Sequence, residues 1–261
     1  MQICTPLNRN VAKLKAVRHS MVMKQIPSKR YGVARVLSKQ GLASRTQAAI
    51  WVSEGRVSVN GRVVRDPEFP VLQDRDTIAV AGRAQPTAEV VYLMLNKPRG
   101  LLTTTSDEKG RDTVYRCFDK AGLPWLAPVG RLDKASEGLL FFTNDTAWAA
   151  KITSPESALD KTYHVQINRL PSAEDLKKMQ QGVAIEGELH AMKQVSVLRA
   201  GEKNAWLEII LDEGKNRQIR KILMELNFDV LRLIRVQIGE LKLGELAKGQ
   251  WRVLDKSEVI S

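Results

Sequence analysis

One aspartate, Asp133, lies ahead of the apolar run in the stretch VGRLDKASEGLLFFTND, residues 129–145. Asp133 follows Gly130 closely, and beyond Gly138 the apolar residues 139–142 predict a buried strand. Both glycines can adopt backbone conformations that other residues disfavour, and a short loop anchored on a core strand holds a side chain still. A carboxylate fixed in this way can serve as a nucleophile or as a base. The alternative is an ordinary turn aspartate that hydrogen-bonds its own backbone.

A second candidate group lies in LDEGKNRQIRKILMEL, residues 211–226. Helical spacing of apolar residues predicts a helix over about residues 217–226, with a buried stripe formed by Ile219, Ile222, Leu223 and Leu226. Arg217, Arg220 and Lys221 gather on its first turns, where cations oppose the helix dipole. A phosphate backbone or a buried carboxylate would compensate that cost, so Arg217 and Lys221 are candidate RNA contacts. For either of these two alone, solvated surface charge is the alternative.

Residues 29–84 predict a small basic module of two helices and a hairpin. Gly41 can end the first helix, Ser44 can cap the second, and Asn60-Gly61 can form a tight hairpin turn. Over residues 29–65 eight cations face one acid, an excess suited to neutralising phosphates. The side chains predicted to contact RNA in this module are Arg30, Arg35, Lys39, Arg45, Arg56 and Arg62.

The composition of the whole chain supports a polyanionic partner. Its 261 residues include 41 Lys and Arg against 29 Asp and Glu, which gives a net charge of +12. Such a balance favours nucleic acid, and no run of ~18 apolar residues suits a membrane helix. Two cysteines and three scattered histidines predict neither a disulfide scaffold nor a metal site. No GxGxxG or P-loop pattern points to a cofactor, and the cytoplasm is the simplest location.

Composition shifts divide the chain into four predicted parts, which are a basic disordered tail (1–28), the small module (29–84), a linker (85–90) and a larger domain (91–256). In the larger domain, apolar strand-like runs alternate with helix-like stretches. The predicted helices cover about residues 146–153, 172–181 and 217–226. This pattern favours an α+β fold in which the larger domain has a mixed or antiparallel sheet.

Four motifs occur along the chain in the order LNKPRGLLTT (95–104), VGRLDKASEGLLFFTND (129–145), KTYHV (161–165) and EGKNRQIRKIL (213–223). Together they resemble the pseudouridine synthase family that modifies ribosomal RNA, over residue 30 to about residue 254. The small module resembles the RNA-binding domain first known from ribosomal small-subunit protein four, which this family carries at its N-terminus. The resemblance implies binding to structured RNA through its shape and backbone.

The resemblance also implies roles for individual residues. Asp133 is the catalytic aspartate of the GRLD motif, and Arg220 of the Q-I-R segment pairs with it and would keep it ionised. Tyr163 of the KxY motif stacks on the target base and is a candidate for removing the ring proton. Arg131 is expected to contact RNA, and Lys97 of the N-K-P motif to give structural support. The family works without a metal or organic cofactor.

The implied reaction converts uridine to pseudouridine in ribosomal RNA, with the large subunit slightly favoured and transfer RNA possible. The ionised carboxylate could attack the sugar or the ring, or remove a sugar proton, and the sequence leaves these open. The base must leave its stack, which costs a few kcal/mol. The sequence departs from the family pattern at Ser136, Thr146 and Asp112, where threonine, glycine and proline are usual.

Two other functions fit part of the sequence. A non-catalytic RNA-binding assembly or translation factor would explain the charge and the small module. It would not explain Asp133, Tyr163 and Arg220 in their motifs. A carboxylate-dependent hydrolase would usually need a second catalytic carboxylate or a metal site, and neither is evident. The protein is expected to be a monomer, because no exposed apolar seam stands out.

Overall fold

The computed structural model of the protein describes residues 30–73, 75–82, 90–105, 107–119 and 121–259. The predicted tail, residues 1–28, lies outside this range, as does nearly all of the predicted linker. The described chain forms a small module with a three-stranded sheet, followed by a larger part built on one nine-stranded sheet.

The small module follows the predicted pattern. Its elements are β1 (Tyr31–Gly32), α1 (Val33–Lys39), α2 (Arg45–Ser53), β2 (Val57–Val59), β3 (Arg62–Val64), β4 (Pro70–Val71) and β5 (Ile78–Val80). Shortly after α1 the chain turns at Gly41, where φ is +69°. The Oγ atom of Ser44 caps α2 by accepting a 3.1 Å hydrogen bond from the N–H of Gln47. Asn60 and Gly61 both have positive φ, as the tight turn between β2 and β3 requires.

A compact core joins the two helices of the small module to its sheet. Strand β2 lies between β3 and β5, and all three strands are antiparallel. Alternation along β2 buries Val57 and Val59, which belong to one cluster with Leu37 of α1 and Trp51 of α2. The polar and basic side chains are therefore left on the outside of the module.

The larger part of the chain continues through β6 (Tyr92–Lys97), β7 (Ala127–Val129), β8 (Glu137–Thr143), α3 (Thr146–Thr153), β9 (Lys161–Ile167), α4 (Ala173–Gln181), β10 (Val183–Ile185), β11 (Glu188–His190), β12 (Gln194–Ala200), β13 (Ala205–Leu211), α5 (Gln218–Glu225), β14 (Val230–Ile238), β15 (Leu241–Lys242) and β16 (Trp251–Val253). Strands β10 and β11 form a separate hairpin. The nine remaining strands form one sheet.

The large sheet has the strand order β12-β13-β9-β14-β8-β6-β16, with β15 added to β14 and β7 to β8. Its strand pairs are antiparallel except for β14 and β8, which run parallel with Ile234 opposite Glu137. The sheet is therefore mixed, and the predicted α+β fold is confirmed. Helices α4 and α5 cover β9 and β13 on one side, and α3 packs on β8.

The predicted elements of this part correspond to its longer strands and to its helices. The runs predicted as strands became β6, β8, β9, β13 and β14, and the three predicted helices are α3, α4 and α5. Sequence reasoning missed the edge strand β12 and the short strands β7, β10, β11, β15 and β16. Among the described helices, none has the length and apolar character needed to cross a membrane.

Candidate active site

One cleft of about 590 Å³ gathers the three residues that the sequence predicted to be catalytic. Asp133 reaches it from the loop between β7 and β8, Tyr163 from β9, and Arg220 from the first turn of α5. Arg131 and Arg217 also line the cleft. These segments are far apart in the chain, and the large sheet brings them together because β9 and β8 both flank β14.

Two glycines shape the loop that carries Asp133. Gly130 has φ +74° and Gly138 has φ +101°, so both adopt the conformation predicted from the sequence. A Cβ atom at Gly138 would lie 2.2 Å from the carbonyl oxygen of Arg235 on the parallel neighbour β14. The close approach of β8 to β14 therefore requires glycine at this position, and it fixes the end of the Asp133 loop.

The side chain of Lys97 forms hydrogen bonds with the backbone of the same loop. Its side chain is fully buried, and Nζ donates to the carbonyl oxygens of Pro98 (3.0 Å), Asp133 (3.2 Å) and Ser136 (2.9 Å). Burial lowers the pKa of Lys97 to about 8, although Asp133 nearby acts in the opposite direction. The N-K-P motif was expected to give structural support, and this lysine joins both ends of the catalytic loop.

Other contacts complete the support of the loop. The Thr103 Oγ1 donates a 2.7 Å hydrogen bond to the carbonyl of Leu132, and the N–H of Ser136 donates to the carbonyl of Asp133 at 3.0 Å. The backbone around Asp133 is thus fixed by several hydrogen bonds, while its side chain stays 36% exposed at the cleft. A fixed backbone with an accessible carboxylate is the arrangement that chemistry on a bound substrate needs.

The ion pair of Asp133 differs from the one expected. Its Oδ2 lies 3.4 Å from Nη1 of Arg217, whereas Nη2 of Arg220 donates to the carbonyl of Ala135 at 3.2 Å. Among the described residues, Arg220 has no carboxylate within 4 Å. Arg220 is half-buried on the first helical turn, and Arg217 precedes the helix in a left-handed conformation (φ +53°) at the mouth of the cleft. In this structure, the expected Arg220–Asp133 pair is therefore replaced by an Arg217–Asp133 pair.

Two buried guanidinium groups border the cleft with unused donors. Within the described chain, Nε of Arg220 and Nη2 of Arg235 have no hydrogen-bond acceptor. Burial, followed by repulsion from Arg217, lowers the pKa of Arg220, while attraction by Asp133 raises it. Arg235 is only 7% exposed, and its Nε donates to the carbonyl of Leu139 at 2.8 Å. Sequence reasoning missed Arg235, although a charge inside the apolar run VLRLIRVQIG was a signal.

Tyr163 forms part of the floor of the cleft. Its strand β9 lies between β13 and β14, so that Tyr163 is opposite Ile209 on one side and Arg235 on the other. The ring is 9% exposed and belongs to the apolar core cluster beneath α5. Leu211 and Leu233 line the cleft beside it. An apolar floor with one aromatic ring can receive a flat base by stacking.

The predicted RNA-binding cations fall into two groups. Arg30, Arg35, Arg62 and Arg131 are exposed, and within the described residues they have no carboxylate within 4 Å. Lys39 and Arg35 lie over the ring of Tyr31, at 4.3 and 4.9 Å from its centroid.

The second group has acidic partners. Arg45 pairs with Glu68 at 3.0 Å, Arg56 with Glu54 at 3.6 Å, and Lys221 with Glu186 at 3.0 Å. For Lys221 the observed partner is thus a protein carboxylate. Two further exposed cations lie close to the site, Lys134 beside Asp133 and Arg99 near Arg220. Both belong to the quoted motifs but were given no role.

The donor chemistry of the cleft is that of carboxylate, tyrosine and guanidinium groups. In the part of the chain that the structure describes, no group of three or more His, Cys, Asp or Glu side chains could hold a metal ion. A half-exposed carboxylate beside several cations can act on a substrate whose phosphates those cations neutralise.

Comparisons with known proteins identify the family of the chain. Residues 91–225 match the family model of RNA pseudouridylate synthase, and residues 33–76 match that of the S4 domain. The chain is 36% identical over 228 residues to an uncharacterized RNA pseudouridine synthase of Aquifex aeolicus, covering 87% of this chain and 91% of the relative. It is 34% identical over 228 residues to ribosomal large subunit pseudouridine synthase B of Bacillus subtilis, covering 86% of this chain and 92% of the relative.

A solved structure supports the same assignment. A crystal structure of a pseudouridylate synthase, 29% identical in sequence, covers 89% of this chain and 98% of its own with a TM-score of 0.60. From its motifs, its fold and these relatives, the chain belongs to the RNA pseudouridylate synthase family and carries an S4 domain at its front.

Proposed function

We propose that this RNA pseudouridine synthase isomerises specific uridines in large-subunit ribosomal RNA, with Asp133 as the catalytic carboxylate. The observation that carries the assignment of residues is the single cleft that Asp133, Tyr163 and Arg220 share. The large subunit is favoured because the Bacillus subtilis relative is named for it. The enzyme acts as a monomer in the cytoplasm, and residues 91–256 form its catalytic domain.

In the proposed reaction, the target uridine leaves its stack and its base rests against Tyr163. The flip costs a few kcal/mol, and stacking on the aromatic ring offsets part of it. The bond from ribose to the ring nitrogen breaks with its electron pair left on the nitrogen, the base turns, and a bond from ribose to ring carbon forms. The proton on that carbon then leaves to a base, for which Tyr163 or a water molecule is the candidate, and the ring nitrogen takes up a proton from water.

Asp133 acts as an ionised group at the first step. Three features support this role: its backbone is fixed by Lys97 and Thr103, its side chain is accessible, and guanidinium groups surround it. Cations near a carboxylate favour its charged form and orient it. We assign to Arg220 the part of catalytic counter-ion and to Arg131 a contact with the RNA backbone.

The small module supplies RNA affinity in this proposal. Its exposed, unpaired cations Arg30, Arg35 and Arg62 lie outside the apolar core, where a phosphate backbone can reach them. Arg45 and Arg56 contribute less, because each already has an acidic partner. Double-helical RNA is bound through its shape and phosphates, which suits a surface of separate positive charges.

The test is to map pseudouridine in the large-subunit ribosomal RNA and the transfer RNA of cells that lack this protein, before and after that RNA is incubated with the purified enzyme. We expect sites that are lost in the cells and restored by wild-type protein. Asp133→Asn should lower the rate of formation by at least ~1,000-fold while RNA affinity changes less than about threefold. Full activity of that variant would overturn the role of Asp133, and free uracil or cut strands would indicate hydrolysis instead. Sites restored only in transfer RNA would overturn the ribosomal assignment.

A further inference from the structure

Two guanidinium groups lie near one carboxylate in the cleft, and the more exposed of them makes the ion pair. Arg217 reaches Asp133 through a single contact of 3.4 Å, with side chains that are 50% and 36% exposed. A strong arginine–carboxylate pair uses two parallel hydrogen bonds at shorter distances. Exposed pairs of this quality contribute little, so the Arg217–Asp133 contact is easily exchanged for another.

Arg220, in contrast, is poised for a partner that it lacks. It is half-buried, it is anchored through Nη2 to the carbonyl of Ala135, and its Nε has no acceptor in the described chain. Asp133 attracts it electrostatically, while Arg217 and Arg99 repel it. Removal of the charge of Arg217 from the neighbourhood would therefore leave Asp133 to Arg220 and to the buried Lys97, which both attract it. Of these two, Arg220 has an unused donor, because Lys97 already donates to three carbonyl oxygens.

A phosphate is the group that can draw Arg217 away. Arg131 lines the cleft, Lys134 lines an adjoining pocket together with Arg131 and Asp133, and Arg99 is close enough to repel Arg220. All three are exposed and form a positively charged rim beside Asp133, and among the described residues none of them has a carboxylate within 4 Å. An RNA strand that brings a uridine to Asp133 must pass this rim with its phosphodiesters. Arg217 holds its guanidinium there from a left-handed backbone position just before α5.

We infer that Arg217 is an exchangeable counter-ion, which neutralises Asp133 while the cleft is free of RNA and moves to an RNA phosphate when the substrate enters, leaving Asp133 to Arg220. Arg217 is in this sense a positioning residue. In the free enzyme, the guanidinium of Arg217 covers the Asp133 carboxylate. RNA binding moves Arg217 away and makes that carboxylate accessible. The inference deepens the proposed function and rests on it for the identity of the substrate.

The first half of the inference is tested without RNA. The rate at which a water-soluble carbodiimide with an amine nucleophile labels Asp133 is measured by peptide mass spectrometry. We expect labelling to be about twofold to fivefold faster in Arg217→Gln than in wild type, because the loss of a half-exposed ion pair has only a modest effect. The labelling rate of Arg217→Lys should lie between these two. Lys203→Gln, an exposed lysine in the turn between β12 and β13, is the control for loss of one charge. Equal labelling of wild type and Arg217→Gln would overturn the inference.

The second half is tested with large-subunit ribosomal RNA transcribed in vitro. Binding as a function of salt should lose about one unit of slope in Arg217→Gln, because one phosphate contact disappears, whereas Arg220→Gln should keep the wild-type slope. At saturating RNA, the single-turnover rate should fall by more than about 100-fold for Arg220→Gln and by at least about tenfold less than that for Arg217→Gln.

The outcomes separate the two proposals. If Arg217→Gln loses its rate as severely as Arg220→Gln and keeps the wild-type salt slope, Arg217 is a permanent counter-ion and the inference is wrong. If wild-type enzyme forms no pseudouridine in this RNA, the proposed substrate fails, while the labelling rates and the salt slopes still decide whether Arg217 covers Asp133 and moves to a phosphate.

Discussion

The basic side chains of the small module and those around the cleft are held in different ways. In the module, Arg35 is exposed and its guanidinium lies over the ring of Tyr31, and Arg62 is exposed to solvent. Around the cleft, Lys97 donates to three carbonyl oxygens, and Arg235 is buried against the carbonyl of Leu139. The first set can adapt to many phosphate positions, and the second set fixes the backbone around the Asp133 loop. In the proposed function, the same residue types thus supply affinity in one region and geometry in the other.

The comparison predicts that replacing a glycine by alanine lowers the stability of the protein more beside the cleft than in the small module. Gly138→Ala should lower the free energy of unfolding by about 3 kcal/mol or more, because the new Cβ would meet the backbone of β14 at 2.2 Å and φ is +101°. In the module, Gly55→Ala should cost about 1 kcal/mol, since φ is +73° but the Cβ would meet only the flexible end of Arg65. Urea denaturation of both variants measures the difference. Equal losses would show that backbone conformation alone decides.

Lys97 predicts a pH dependence that belongs to the cleft. Its pKa in the folded protein is about 8, below the ordinary value of 10.5, so between these pH values the unfolded chain binds a proton that the folded chain has lost. The stability of wild type relative to Lys97→Met should therefore rise with pH across this window, by at most about 1.4 kcal/mol per pH unit. Below about pH 8 the difference should be flat.

Chemical denaturation of the two proteins at several pH values between 7 and 10.5 checks this behaviour. The Lys97→Met variant lacks this titrating group and keeps all the other titratable groups. The difference in stability between the two proteins at each pH therefore reports on Lys97 alone. A difference that falls with rising pH would mean that the protonated amine is stabilised by its three carbonyl partners more than burial opposes it.

The smallest effects are expected for RNA binding, when basic side chains on the surface of the small module are replaced. Arg35→Gln and Arg62→Gln should each reduce the salt dependence of RNA binding by about one unit of slope and weaken binding similarly for all RNA sequences. Arg45→Gln and Arg56→Gln should change it less, because Glu68 and Glu54 already offset their charges. Filter binding over a range of salt concentrations distinguishes the first two variants from the second two. Identical slopes for all four variants would indicate that the acidic partners release their arginines on binding.

The sequence predicted the elements that have strong local signals. The all-apolar run at residues 139–142 became the buried strand β8, and glycine and cap residues marked the ends of α1 and α2 correctly. Strands β7, β15 and β16 were missed because they contain two or three residues and are defined by their pairing partners. Their patterns in isolation resemble those of loops.

Within the site, the motifs and the family resemblance predicted roles for Asp133, Tyr163 and Arg220, and the structure places all three in one cleft. What the sequence could not provide was the partner of each charge. The pairing of Asp133 with Arg217 depends on a left-handed backbone conformation, and the burial of Lys97 and Arg235 depends on tertiary packing. Charged residues are expected at the surface, so nothing local distinguishes the buried ones from the rest.

Strand β14 has a consequence for biosynthesis. It lies between β9 and β8, although both of those strands precede it in the chain by more than 60 residues. While a ribosome is still making the protein, the segments bearing Asp133 and Tyr163 have emerged but have no shared neighbour to align them. Contacts between residues so distant in the chain form late, because closing long loops is slow. A nascent chain therefore assembles the cleft only once residue 238 has left the exit tunnel, so that unfinished copies of the protein lack the arrangement of Asp133 and Tyr163 on which the proposed activity depends.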